Sequence, residues 1–372
     1  MLMGVPSEIK NFEYRVGLVP SSVRELISHG HQVVIQHGAG EKIGFNDAAY
    51  ELVGARIAGT AEEIFQQADM IVKVKEPQAQ ECRMLRENQL LFTYLHLAPD
   101  PEQAKLLQAS GCVAVAYETV TDKHGGLPLL APMSEVAGRM SIQAGAHCLE
   151  IENGGSGILL GGVPGVVPAT VVIIGGGVVG TNAARVAIGM GATVIVIEKS
   201  LERLYHLDLQ FDSKITTVFA TMDAVEQHVM NADLVVGAVL IPGASAPRLV
   251  SEKMLNHMRT GSVMVDVAID QGGCFETSKA TTLSDPTYVV NGVVHYCVAN
   301  MPGAVPRTST FALNHATLPF ILALANEGYV AAMRRNHHLM NGLNICHGRV
   351  TYQAVAEALH QTYFPAEEVI GI

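Results

Sequence analysis

Cysteine, positive charge and unbroken apolar runs are all scarce in this 372-residue chain. The six cysteines (Cys82, Cys112, Cys148, Cys274, Cys297 and Cys346) stand singly, with no CxxC pair and no Cys/His spacing of a zinc site. They read as reduced thiols of a cytoplasmic protein rather than a disulfide framework, and no metal is expected. Lys and Arg total 24 against 35 Asp and Glu, a formal net charge of −11. Phosphate backbones and anionic lipid need clustered positive charge, so nucleic acid and membrane surfaces are disfavoured as partners. The opening MLMGVPSEIK lacks a basic stretch followed by an apolar run, so no signal peptide is expected. Residues 153–182 carry no charge, enough length to span a bilayer, but they include Pro164, Pro168 and ten glycines. That many helix breakers argues against a membrane span.

What is present is apolar and periodic. Hydrophobic residues make up 49% and charged residues 16% of the chain, a balance suited to a large core and to subunit contacts. At roughly 150 residues per domain the length suggests two domains. Short apolar runs at 1–5, 32–36, 70–75, 90–95 and 112–117 read as strands, alternating with helical patterns at 22–29, near 61–67 and after Pro101. A long helix is expected over 134–150 with Ser134 as its N-cap. A second set of strands follows at 170–174, 193–197, 215–219, 234–240, 262–269 and 293–298. After Pro306 strand signals vanish, and 308–326, 329–336 and 351–361 read as helices. With no sheet of their own to cover, these helices are expected to return to the first domain. The expected fold class is therefore α/β: two doubly wound Rossmann-like domains with parallel sheets, joined by long helices.

The sharpest local signal lies in TVVIIGGGVVGTNAARVAIGMGATVIVIEKS. Gly175, Gly177 and Gly180 satisfy G-x-G-x-x-G directly after an apolar strand, and a helix and a second strand ending at Glu198 follow. The first glycine permits the tight turn, the second lets a pyrophosphate approach the backbone, and the third allows close helix–strand packing. The helix start supplies N–H groups and a positive dipole end for the phosphates. Glu198 stands where an acid accepts from the adenosine ribose, which favours NAD over NADP because a carboxylate repels a 2′-phosphate. The expected organisation is a discontinuous substrate/catalytic domain, 1–130 plus 305–372, and an NAD-binding domain, 131–304, that includes the linking helix.

In open parallel sheets ligands sit beyond the carboxyl ends of the strands. Lys75 ends one predicted strand, with Lys73 two positions earlier on the same face. His96 follows another, Asp270 closes a third, and Arg15 lies in the loop after the first. Singly, each has a bland reading: a solvated strand-end lysine, one histidine among 15, a turn-capping aspartate, a loop arginine in an ion pair. Their common position beside a nucleotide fold suggests a site for a small carboxylic acid undergoing proton and hydride transfer.

The chain resembles the alanine dehydrogenase/transhydrogenase alpha-subunit family over nearly its whole length. The segments that carry the resemblance are PSEIKNFEYRVGLVP, VKVKEP, LFTYLHLA, AYETV, LPLLAPMSEVAGR, GGVPGV, VDVAIDQGGCFE and YCVANMPGAVPRTST, in that order. The resemblance implies that Arg15 and Lys75 hold the substrate carboxylate, with Met133 and Asn300 lining its pocket. It implies His96 as general acid/base, and Asp270 as assisting the water and ammonia steps. Cofactor contacts are implied for Ser134, Gly175, Gly177, Val178, Val179, Gly180, Glu198, Arg203, Val239 and Leu240. A further set is Val267, Ala268, Ile269, Asp270, Val298, Ala299, Asn300 and Met301. Two departures stand out: Glu198 replaces the usual aspartate, and a serine common near the adenine is replaced around Ala220. The implied activity is NAD-dependent, reversible deamination of L-alanine to pyruvate and ammonia by a cytoplasmic homo-hexamer. The alternatives are a transhydrogenase-type nucleotide-binding component, or a catalytically silent NAD-binding regulator that would tolerate loss of Lys75 or His96.

Overall fold

The computed structural model describes residues 1–239 and 246–371. The strands in chain order are β1 (Leu2–Val5), β2 (Gln32–Gln36), β3 (Arg56–Ala58), β4 (Met70–Val72), β5 (Leu90–Thr93), β6 (Val113–Ala116), β7 (Thr170–Ile174), β8 (Thr193–Glu198), β9 (Thr216–Phe219), β10 (Leu234–Gly237), β11 (Val263–Asp266), β12 (Thr287–Val290), β13 (Val293–Tyr296), β14 (Leu343–Cys346) and β15 (Arg349–Val350). They fall into two compact units, Met1–Met133 with Val305–Ile372, and Ser134–Ala304.

The first unit holds one sheet, ordered β15-β14-β6-β5-β4-β1-β2-β3. Successive residues along its strands point to opposite faces, and both faces are apolar. Val33 and Ile35 enter one cluster with Met70, Val72 and Phe92, while Val34 joins Ile71 and Leu91 in the other. A sheet covered on both sides needs such continuous apolar runs, and each fully buried Val, Ile or Leu contributes roughly 1.5–3 kcal/mol. β1 to β6 pair in parallel, and the order reverses at β1, which lies between β2 and β4. Ligands of doubly wound sheets bind outside the carboxyl ends at such a switch point.

The second unit repeats the plan in the order β12-β13-β11-β10-β7-β8-β9, with the switch at β7 between β8 and β10. Val171 and Ile173 pack into one cluster, Val172 and Ile174 into the opposite one. Both sheets thus show the 3-2-1-4-5-6 strand order of dinucleotide-binding folds.

The sheets are mixed rather than purely parallel. β14 runs antiparallel to β6 and to β15, and β12 antiparallel to β13. The absence of strands after Pro306 was therefore a wrong expectation. β14 has four residues and β15 two, joined by His347 and Gly348, both at positive φ, as a tight hairpin turn requires. Asn344 in β14 and Arg349 in β15 leave no continuous apolar run to read. β3 and β12 escaped the sequence reading as well.

Several strands also stop earlier than their apolar runs: β4 at Val72, β5 at Thr93, β10 at Gly237, β11 at Asp266 and β13 at Tyr296. Past β4 and β5 the next residues, Lys73, Val74, Tyr94 and Leu95, remain buried but leave regular pairing. The helix expected from Ser134 begins at Ala131 and ends at Cys148, so Ser134 lies inside its first turn and is not its cap. A 22-residue helix, Pro306–Glu327, opens the returning segment with proline in its first turn, where the missing N–H costs nothing. Among the described residues, no single helix is long and apolar enough to cross a membrane.

Candidate active site

In the first unit the candidate residues gather past the carboxyl ends of four neighbouring strands. Beyond β1, Arg15 is 2% exposed and paired with Glu13. Its Nε donates to Oε1 at 2.7 Å and its Nη2 to Oε2 at 2.5 Å, a bidentate fork, while Nη1 lies 3.1 Å from the sulfur of Met133. Burial acts to lower the guanidinium pKa, but the Glu13 bonds outweigh it and hold the group above its usual value. The ion pair and a carboxylate-binding role are compatible, because a bidentate partner fixes the plane of the guanidinium.

Beyond β4 the two lysines part company. Lys73 is fully buried and bridges Glu8 at 3.0 Å and Glu81 at 2.7 Å. Desolvation acts to lower its pKa, and the two carboxylates more than reverse this, so it stays charged. It is a structural cation, and the shared strand face that the alternation gave Lys73 and Lys75 is corrected, because β4 ends at Val72 before either. Lys75 is half-buried, with its N–H 3.3 Å from Glu8 Oε1 and its carbonyl accepting from Thr93 Oγ1 at 2.9 Å.

Beyond β5, His96 is one of the few non-glycine residues at positive φ (50°). Its ring stacks on Tyr94 at 5.8 Å and 6°, and the Tyr94 hydroxyl donates to the Leu129 carbonyl at 2.5 Å. Beyond β6, Glu118 turns back to accept the His96 N–H at 2.6 Å and the Leu95 N–H at 3.2 Å. The reading of the sequence missed Glu13, Glu8 and Glu118 as supports. Their only signal was an acid inside a motif, and nothing in the chain order ties Glu118 to a histidine 22 positions earlier.

The second unit holds the glycine turn at the end of β7. Gly175 has φ 104°, and a Cβ there would lie 2.6 Å from the Ala238 carbonyl oxygen; at Gly180 it would lie 1.9 Å from the Gly175 oxygen. At Gly177 a Cβ would meet nothing within 4 Å, so the backbone stands open there. Gly177 is the N-cap of helix Val178–Gly189, whose start no side chain caps among the described residues. Val178 is exposed and Val179 buried. A tight turn, an open approach and uncapped N–H groups at a helix start fit a dinucleotide pyrophosphate.

Glu198 closes β8, and its carboxylate accepts three backbone N–H groups: Gly176 at 2.8 Å, Lys199 at 2.8 Å and Ser200 at 2.9 Å. A carboxylate offers about four lone-pair sites, so it braces the turn and keeps about one for a ribose hydroxyl. Arg203 is drawn into the same turn, donating from Nε to the Gly176 carbonyl at 2.6 Å and from Nη2 to Thr181 Oγ1 at 2.5 Å. Past β10, Val239 is half-buried and Leu240 lies outside the described residues.

Asp270 does not close β11. It stands exposed in a short turn, Ile269–Gln271, three residues beyond Val267, with Ala268 half-buried and Ile269 buried. The residue that ends β11 is Asp266, fully buried, whose oxygens accept from Ala268 N at 3.0 Å, Cys274 N at 2.7 Å and Ser278 Oγ. Asp266 therefore shapes the loop that presents Asp270. Val298 and Met301 are buried, Ala299 and Asn300 half-buried, and Asn300 has φ 64°. Among the described residues no group of three or more His, Cys, Asp or Glu side chains could hold a metal.

Two Rossmann-type units, one with a complete glycine fingerprint and one gathering Arg, Lys and His at its strand ends, define a two-unit dehydrogenase. The models of "Alanine dehydrogenase/PNT, N-terminal domain" and "C-terminal domain" match residues 4–137 and 141–353. An alanine dehydrogenase of Halomonas elongata is 58% identical over 371 residues, covering 100% of both chains. A solved L-alanine dehydrogenase superposes with a TM-score of 0.94 at 50% identity, over 97% of this chain and 99% of that one. A transhydrogenase from Sinorhizobium meliloti shares the fold, with a TM-score of 0.84 at 24% identity over 94% of this chain and 100% of that one. The chain belongs to the alanine dehydrogenase/PNT family.

Proposed function

We propose that this chain is an NAD-dependent alanine dehydrogenase, interconverting L-alanine with pyruvate and ammonia. The observation that carries the reading is the convergence of Arg15, Lys75 and His96 past β1, β4 and β5, in a chain matched end to end by alanine dehydrogenases. Arg15 and Lys75 hold the substrate carboxylate, so that its Cα hydrogen has one direction in which to leave. Met133 and Asn300 border the substrate. NAD held at the glycine turn would supply the hydride acceptor, and the substrate would be left as an iminium.

His96 then takes the proton of the water that adds to the iminium, and returns a proton as ammonia departs. Imidazole suits both steps because it gives and takes protons near neutrality. Asp270 orients the water or amine and offsets the positive charge. Gly175, Gly177 and Gly180 with Val178 and Val179 receive the pyrophosphate, Glu198 reads the ribose, and Arg203 holds the turn. Ser134, Val239, Leu240, Val267 to Asp270 and Val298 to Met301 complete the coenzyme contacts.

A transhydrogenase component needs no amino-acid site, and a silent regulator needs neither Lys75 nor His96; both residues are present. We further propose a cytoplasmic homo-hexamer. Six unpaired buried cysteines and the exposed, uncharged Leu159, Val163, Val166 and Val167 support it. The reverse reaction tests the function: purified protein should oxidise NADH only when pyruvate and ammonium are both supplied. Oxidation with another nucleotide as acceptor and no pyruvate would favour the transhydrogenase reading, and no oxidation at all the silent one. A solution mass of about six times 39.6 kDa tests the assembly.

A further inference from the structure

We propose that Glu118 is a positioning residue for His96, fixing the imidazole through the backbone rather than touching substrate. The proposal rests on the reading of His96 as acid/base. His96 has φ 50°, a conformation that side chains other than glycine rarely adopt and that persists only where the surroundings impose it. Glu118 supplies the constraint. It stands in the short turn Tyr117–Thr119 directly after β6, and its side chain reaches across to the end of β5.

There Oε1 accepts from His96 N at 2.6 Å and Leu95 N at 3.2 Å, while Oε2 accepts from Leu95 N at 3.2 Å. On the other side of the same peptide, buried Gln103 donates from Nε2 to the Leu95 carbonyl at 3.1 Å. Both peptide groups leading into the histidine are thus held before the ring begins. The ring keeps only its own torsions, and stacking on Tyr94 restricts those. Glu118 Oε1 also lies 3.9 Å from His96 Nδ1, so the same carboxylate faces the imidazolium that forms in the reaction.

An acid/base that is itself 46% exposed at the side chain gains little rigidity from packing. Without Glu118 the two N–H groups would turn to water and the positive φ would relax. Catalysis depends on sub-ångström placement, and a displacement of about 1 Å can cost on the order of a hundredfold. A group that merely capped a strand would, on removal, lower stability without selecting turnover over binding.

The test is a double-mutant cycle with steady-state kinetics and NADH binding by fluorescence. Glu118→Ala should lower kcat roughly ten- to a hundredfold. KM for alanine and pyruvate and the Kd for NADH should stay within about threefold of wild type. Glu118→Gln, which keeps an acceptor at the same reach, should recover most of the loss. In a His96→Ala background either substitution should change kcat by less than about twofold, because a positioning group has nothing left to position. Full kcat in Glu118→Ala beside a crippled His96→Ala, or losses that multiply in the double variant, would overturn the positioning role while leaving His96 in place. Near-normal turnover in His96→Ala would overturn the acid/base reading itself. Should Glu118→Ala fail to fold, Glu118→Asp, which keeps the charge but falls short of the Leu95 and His96 N–H groups, carries the cycle with the same criterion.

Discussion

Lys73 and Lys75 stand two positions apart in opposite surroundings. Alternation along a strand would place both on one face, and the sequence reading paired them for that reason. β4 stops at Val72, however, and Lys73 turns inward to a pocket closed by Glu8 and Glu81. A buried ammonium survives only with such partners, whereas the half-buried Lys75 carries no ion pair of that kind among the described residues. Lys75→Ala should therefore leave folding and NADH binding intact while removing a charge-assisted bond worth about 1.5–3 kcal/mol to the carboxylate. Pyruvate KM should rise and reductive turnover collapse; unchanged values of both would remove Lys75 from the site. Glu198 carries a second prediction at this scale. Its three bonds to backbone N–H groups hold it against the glycine turn, beside the proposed ribose contact. Glu198→Ala should weaken NAD binding and narrow the preference over NADP, measured as the ratio of kcat/KM for the two coenzymes. Arg203 is committed to Gly176 and Thr181, so NADP use should rise little. An unchanged ratio would show that Glu198 does not read the ribose.

Elements long enough to repeat a pattern were legible in the chain. β2 and β7 and the helix Ala61–Gln67 follow their apolar runs residue for residue, because each has a two-sided or one-sided core to fill. The carboxyl ends were not, since past β4, β5 and β11 regular pairing stops inside the predicted runs and acids such as Glu8, Glu118 and Asp266 take over the backbone N–H groups. Glu8 and Glu118 bond to residues 66 and 22 positions away, which no local spacing announces, whereas Asp266 closes a loop on its own neighbours Ala268 and Cys274. β13 supplies a prediction about an element. His295 within it is fully buried, its Nδ1 3.0 Å from the Val293 carbonyl and its Nε2 2.7 Å from Thr277 Oγ1, with Tyr288 stacked on the ring. Burial pushes its pKa below the usual histidine range, against the Val293 bond, which raises it. The unfolded state then binds the proton more readily, so the contribution of neutral His295 to stability is complete above about pH 6.5 and is lost as pH falls through the lower folded value. Tm of the wild type should drop between pH 7 and pH 5.5 by more than that of His295→Gln; equal slopes would refute the assignment.

At the scale of the molecule, two sheets with one strand order divide the chemistry. The first unit collects a guanidinium, an ammonium and an imidazole at its switch point, and the second offers an open glycine turn at its own. The alternation of strands and helices made both sheets predictable, and the glycine spacing fell at the end of β7, at the switch point of the second. The additions β14 and β15 were hidden because Asn344 and Arg349 interrupt their apolar residues, whereas β12 was announced by the Asn291–Gly292 turn and overlooked. The proposed activity requires that one hydrogen leave the α-carbon of alanine as hydride and arrive on the coenzyme without exchanging with water. L-Alanine deuterated at Cα should therefore be turned over with NAD to give pyruvate, ammonia and NADH bearing one deuterium, read by mass spectrometry. Absence of NADH formation, or NADH that carries only protium, would contradict the account.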